Sequence, residues 1–123
     1  MPRILVVDDD ADIRDMLRFK LAKAGFEVHT EEDGETGLAA ARQIDPDLIL
    51  LDWMMPRLTG PEVVRSLRED ETETRVPVIL LTAKAQETDV QRGFAAGADD
   101  YMSKPFSPRE LMSRVQALLA RAS

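Results

Sequence analysis

Three stretches of the chain are apolar without interruption: Ile4-Leu5-Val6-Val7, Leu48-Ile49-Leu50-Leu51 and Val78-Ile79-Leu80-Leu81. A strand with one wet face would alternate apolar and polar side chains. Unbroken runs therefore predict strands covered on both faces, as in a parallel sheet. Two further runs, around Phe26–Thr30 and Asp100–Ser103, are more polar and fit the edges of that sheet. Between the strands the apolar period changes to three and four. Ile13, Met16, Leu17, Leu21 and Ala24 mark one face of a first helix, and Gly25 stands where a C′ residue ends it. A second helix runs from about Gly34 to Ile44 and must end before Pro46, which disfavours helical geometry in the residue preceding it. Thr59-Gly60-Pro61-Glu62 has the form of a capping box and opens a third helix through Val63, Val64 and Leu67. Ser107-Pro108-Arg109-Glu110 is another, with Pro at the first helical position, opening a last helix through Leu111, Val115 and Leu118. A fourth helix, about Gln86 to Ala96, is closed by Gly97.

Five strands alternating with five helices over 123 residues leave roughly 25 residues per unit. That is room for a strand of ~5, a helix of ~12 and two short loops. Right-handed crossovers then predict one α/β domain over residues 1–123, an open, doubly wound parallel sheet with helices on both faces. Composition narrows the function classes. With 44% hydrophobic and 32% charged residues the chain has the make-up of a packed fold. No apolar run approaches the roughly 20 residues that span a bilayer. The start, Met1-Pro2-Arg3-Ile4, leads into a short apolar run that ends in acids, so no signal peptide is expected. The absence of Cys excludes disulfides, thiolate catalysis and Cys-built zinc sites, and it suits a reducing cytoplasm. Sixteen Lys and Arg against 23 Asp and Glu give a net charge of −7, unfavourable for direct binding of nucleic acid or anionic membrane by this domain.

In a doubly wound sheet, ligands bind beyond the carboxyl ends of the strands, where the strand order reverses. The residues that follow each buried run are therefore the informative ones. The first run ends in Asp8-Asp9-Asp10, the third strand in Asp52, the fourth in Thr82 and the fifth in Lys104-Pro105. If the strands take the order 2-1-3-4-5, the first and third are neighbours, and Asp8, Asp9 and Asp52 would meet at one edge with Thr82 and Lys104 beside them. Three clustered carboxylates repel one another and raise each other's pKa. One lysine cannot balance them, whereas a hard divalent cation can, and an open carboxylate site suits Mg²⁺ better than a closed calcium cage. One carboxylate is then left as a nucleophile for a phosphoryl group. Mg²⁺, Lys104 and the Thr82 hydroxyl would neutralise its equatorial oxygens. The bland alternatives are a helix cap for Asp10 or Asp12, a backbone-satisfying hydroxyl for Thr82 and a solvated charge for Lys104.

Val6-Val7-Asp8-Asp9, Asp52-Trp53-Met54-Met55-Pro56 with Gly60, Leu81-Thr82-Ala83 and Lys104-Pro105-Phe106 resemble the signature of CheY-like receiver domains of two-component response regulators. The match runs in order over essentially the whole chain, and the strand order 2-1-3-4-5 is in part what this resemblance implies. Leu51-Asp52-Trp53-Met54, Gly97-Ala98-Asp99-Asp100-Tyr101 and Lys104 to Leu111 are similar to receivers of the OmpR/PhoB type. The resemblance implies that Asp52 is the phosphoacceptor, taking the phosphoryl group from the phosphohistidine of a sensor histidine kinase. It implies Mg²⁺ held by Asp9, by Asp52, by the Met54 backbone carbonyl and, through water, by Asp8. Thr82 would swing to the phosphoryl oxygens and Tyr101 would turn inward behind it, remodelling the surface of the fourth helix, fifth strand and fifth helix. Lys104 would pair with the phosphate, positioned by a cis bond to Pro105, which proline tolerates at small cost. Such receivers dimerise through that surface with ion pairs between subunits. Asp100 and Arg114 match one pair, while the residue that would face Glu110 is Val90. The output implied is transcriptional when an effector domain is joined; either a single-domain regulator or a trimmed receiver fits a chain ending at Ser123.

Other residues carry weaker expectations. Trp53 is expected as a partly buried surface aromatic, His29 as a surface residue, and Glu69-Asp70-Glu71-Thr72-Glu73 as a solvated loop. Met54 and Lys84 are expected at the rim of the pocket, where the Met54 side chain would restrict water. A haloacid-dehalogenase-type phosphatase using Asp8 and Asp10 is an alternative, although Asp12 stands where that family has Thr or Val. A flavodoxin-like FMN carrier is disfavoured by the anionic first loop, since a phosphate cradle needs Gly and hydroxyl residues. A degenerate, phosphate-independent receiver is disfavoured because all five key groups are present.

Overall fold

The structure is a computed structural model describing residues 1–70, 75–83 and 87–122. The three apolar runs form strands β1 (Arg3–Val7), β3 (Leu48–Asp52) and β4 (Val78–Thr82). The more polar runs form β2 (Glu27–Glu31) and β5 (Asp100–Ser103). Helices α1 (Ala11–Lys23), α2 (Gly34–Ile44), α3 (Gly60–Asp70), α4 (Glu87–Ala96) and α5 (Pro108–Ala122) alternate with them. The sheet is parallel throughout, in the order β2-β1-β3-β4-β5. The polar strands lie at its edges, as a sheet covered on both faces requires.

Alternation along the strands sends side chains into two cores. Leu5, Val7, Ile49, Leu51, Val78 and Leu80 pack on one face against Ala40 and Ala41 of α2 and Val63, Val64 and Leu67 of α3. Ile4, Val6, Leu48, Leu50, Ile79 and Leu81 pack on the other against Leu17 and Leu21 of α1 and Leu111, Val115 and Leu118 of α5. Burying a large aliphatic side chain stabilises by about 1.5–3 kcal/mol, and the interior residues of β3 and β4 are almost wholly buried. Trp53 belongs to the first core at 8% exposure, so it is a core residue and not a surface aromatic.

Local chemistry sets the helix ends. The Asp10 carboxylate accepts the N–H groups of Asp12 and Ile13, and Gly25 follows α1 at φ 98°. Asp33 caps α2 through the Thr36 N–H, and Asp45 in left-handed geometry ends it before Pro46. At α3 the capping box is complete. Thr59 N–H donates to Glu62 at 2.9 Å, and Glu62 N–H returns the bond at 3.4 Å. At α5 only half of the expected box forms: Ser107 accepts from Arg109 and Glu110 N–H, but the Glu110 carboxylate turns to Arg114 instead. Of the expected solvated stretch 69–73, residues 71–73 lie outside the described residues, as does Lys84.

Candidate functional site

Strand register decides what meets at the carboxyl end of the sheet. Val7 pairs with Leu51, so Asp8 and Asp52, the next residues, leave their strands at the same level. Asp52 pairs with Leu81 and Thr82 with Ser103, which sets Thr82 and Lys104 on the same edge. Asp8, Asp52 and Thr82 are the buried polar residues among those described, at 0%, 6% and 2% exposure. Buried carboxylates are costly unless partnered. Their partner is Lys104, whose Nζ donates to Asp8 at 2.9 Å and to Asp52 at 3.2 Å.

One ammonium serves an excess of acid. Asp8, Asp9 and Asp52 each place a carboxylate oxygen within 4.8 Å of the other two. Burial first, and then the charge of Asp8, push the Asp52 carboxyl up to about 7 against the opposing pull of Lys104. Burial alone would lower the Lys104 pKa, but the bonds and charges of Asp8 and Asp52 outweigh it and hold the ammonium protonated. All the acidic donors are hard carboxylate oxygens, so the cluster suits a hard divalent cation.

The loop leaving Asp52 is closely folded. Gly60 N–H donates to Trp53 carbonyl oxygen at 2.8 Å, and a Cβ on Gly60 would stand 2.6 Å from the Asp52 carbonyl oxygen. Gly60 therefore lets α3 start directly against the acidic strand end. Met54 projects from this loop at 59% exposure. Thr82 and Tyr101 line one narrow cleft with Trp53, Gly93 and Phe94, and the Tyr101 and Phe94 rings meet edge to face at 5.9 Å. The peptide between Lys104 and Pro105 is cis.

Other candidates fall elsewhere. The Asp10 carboxylate is committed to the N-terminus of α1, which leaves the Asp8/Asp10 phosphatase arrangement without its second acid. His29 is on the edge strand, bonded to Glu31 at 2.6 Å. Arg114 pairs within the chain, donating to both Asp100 oxygens at 2.9 and 2.8 Å and to Glu110 at 3.3 Å. The Val90 side chain lies outside the described part of the structure. Two residues had no signal in the sequence reading. Arg14 donates from α1 to the Asp8 carbonyl at 2.7 Å. Arg57, at φ 77°, reaches from the loop after Asp52 to Asp33 at 3.8 Å and Glu35 at 3.6 Å.

Comparison with known proteins agrees with this geometry. Residues 4–116 match the family described as response regulator receiver domain. The chain is 48% identical over 121 residues to the DNA-binding dual master transcriptional regulator RpaA of Synechocystis, covering 98% of this chain and 50% of that protein. It is 48% identical over 118 residues to the phosphate regulon transcriptional regulatory protein PhoB of Pseudomonas aeruginosa, covering 96% and 52%. The chain thus spans about half the length of these relatives. Among solved structures, a Francisella response regulator receiver domain superposes with a TM-score of 0.94 at 35% identity, covering all of both chains. The beryllofluoride-activated receiver domain of Klebsiella pneumoniae RstA gives 0.87 at 29% identity, covering 95% and 97%. No described helix is long and apolar enough to cross a membrane. This chain belongs to the receiver domains of two-component response regulators, signalling modules rather than conventional enzymes, and its relatives include OmpR/PhoB-type transcriptional regulators.

Proposed function

We propose that residues 1–123 form one cytoplasmic receiver domain that takes a phosphoryl group from a sensor histidine kinase onto Asp52. The observation that carries this is the convergence of Asp8, Asp9 and Asp52 on one strand edge with Lys104 between Asp8 and Asp52. An Asp52 carboxylate oxygen attacks phosphorus, a P–O bond forms, and the P–N bond of the phosphohistidine breaks. The imidazole leaves with the electron pair and takes up a proton. Asp52 must be ionised to attack, and Lys104 favours that form while its ammonium is placed to meet the phosphoryl oxygens.

Asp9, Asp52 and the Met54 carbonyl would hold Mg²⁺ directly, with Asp8 holding it through water. When bound, Mg²⁺ neutralises charge on the transferring phosphoryl group. Thr82 then turns its hydroxyl to the phosphoryl oxygens, and Tyr101 moves into the space behind it; the cleft that both residues line supports this coupling. The altered α4-β5-α5 face would signal onward, through a homodimer in which Asp100, Glu110 and Arg114 contribute. The transcriptional output would come through an effector domain, which alone would touch DNA. The test is incubation with Mg²⁺ and acetyl phosphate, followed by intact-mass measurement. One labile phosphoryl group should appear and be lost in Asp52→Asn. Repeated turnover of the donor through Asp8, or labelling that persists in Asp52→Asn, would overturn the reading.

A further inference from the structure

Every polar atom of Asp8 is engaged. Its N–H donates to Glu31 carbonyl oxygen at 3.1 Å, one carboxylate oxygen accepts from Asp10 N–H at 2.9 Å, and the other accepts from Lys104. The fourth atom, its carbonyl oxygen, accepts from Arg14 Nη1 at 2.7 Å. Arg14 sits in the first turn of α1, its own N–H donating to Asp10 carbonyl oxygen at 3.0 Å, and its side chain reaches back over that turn to the strand end. Among the described residues this carbonyl is the only polar partner of the guanidinium. An arginine beside an acidic corner that bonds a neutral carbonyl contributes orientation.

The Asp8 carbonyl and the Asp9 N–H belong to one planar peptide group. Fixing the oxygen fixes the plane, and with it the direction in which Asp9 leaves the strand. Beyond Asp9, Asp10 is fixed as the cap of α1. Asp9 is itself exposed, yet it keeps a carboxylate oxygen within 4.8 Å of those of Asp8 and Asp52. We infer that Arg14 is a positioning residue for the cation site: by holding the Asp8–Asp9 peptide it aims the Asp9 carboxylate at Asp52. This rests on the reading that Asp9 and Asp52 together hold a divalent cation.

The two ways in which Arg14 could act have opposite signs. As a mere positive charge it would repel a cation, and its removal would tighten binding. As an orienting group its removal weakens binding, and partners behind a metal ligand typically carry about ten- to a hundredfold in affinity. The experiment is calorimetric titration of the metal-free chain with Mg²⁺, with no phosphodonor present. Arg14→Gln should bind Mg²⁺ about tenfold or more weakly than the parent. Arg14→Lys, which keeps the charge and a shorter donor, should fall between them. Thermal unfolding of each variant shows that it is folded at the titration temperature, and either variant alone suffices for the comparison. Unchanged or tighter binding in a folded variant overturns the inference and leaves the cation reading intact. A parent that binds no Mg²⁺, or an Asp9→Asn control that binds like the parent, overturns both.

Discussion

Asp52 is asked to be buried and to be charged, and the two demands conflict. Its side chain is 8% exposed, and burial with the charge of Asp8 raises its pKa to about 7. A carboxyl raised in the folded state binds more protons there than in the unfolded chain, so stability falls as pH climbs from about 4 to about 7. Asp52→Asn removes that penalty. The metal-free variant should be more stable than the parent by ~1–3 kcal/mol above pH 7, with the gain vanishing below about pH 4. Thermal unfolding across that range measures it; a constant difference would show that charge is not the cause. Met54 presents an apolar side chain beside the site at 59% exposure. Met54→Asn should shorten the lifetime of the phosphorylated form by admitting water, read as a faster decay of acyl phosphate. An unchanged decay would remove Met54 from that role. The acids and Lys104 were legible because each stands at the carboxyl end of a strand. Arg14 was not, because a helical arginine that reaches back to a strand end leaves no periodic trace.

At the level of elements, the unbroken apolar runs and the capping residues gave strands and helices directly, because burial on both faces and cap chemistry are local properties. Close approaches between elements are not local. Gly37 in α2 reads as a weak helix position, yet a Cβ there would stand 2.7 and 2.8 Å from the two γ-methyls of Val7. Alanine would gain about 1 kcal/mol in helix propensity but force α2 off the end of β1. A net loss of ~1–2 kcal/mol is expected, since overpacking typically costs more than propensity returns. The urea midpoint should drop with the slope unchanged. Trp53 was misjudged for the same reason. Its burial depends on Gly93, where a Cβ would stand 3.1 Å from the indole, a contact that no short window reveals.

Across the whole molecule the family pattern was readable, and the strand order came in part with it, because apolar runs alone leave open which strands are neighbours. Within one chain Arg114 already holds Asp100, so the pairing expected across a subunit boundary would replace this contact. The proposed dimer predicts that beryllofluoride with Mg²⁺ raises the sedimenting mass toward that of two chains. A single-chain mass at concentrations up to the millimolar range would count against self-association by this route.

The bidentate hold of Arg114 on Asp100 also bears on what could drive such an assembly. If two copies exchanged these partners, each would give up a contact and receive its equivalent, so the ionic balance would hardly change. Any gain would then have to come from covering greasy surface such as Phe94, left 45% exposed on α4. Raising the salt concentration should barely alter the association, whereas cooling should loosen it.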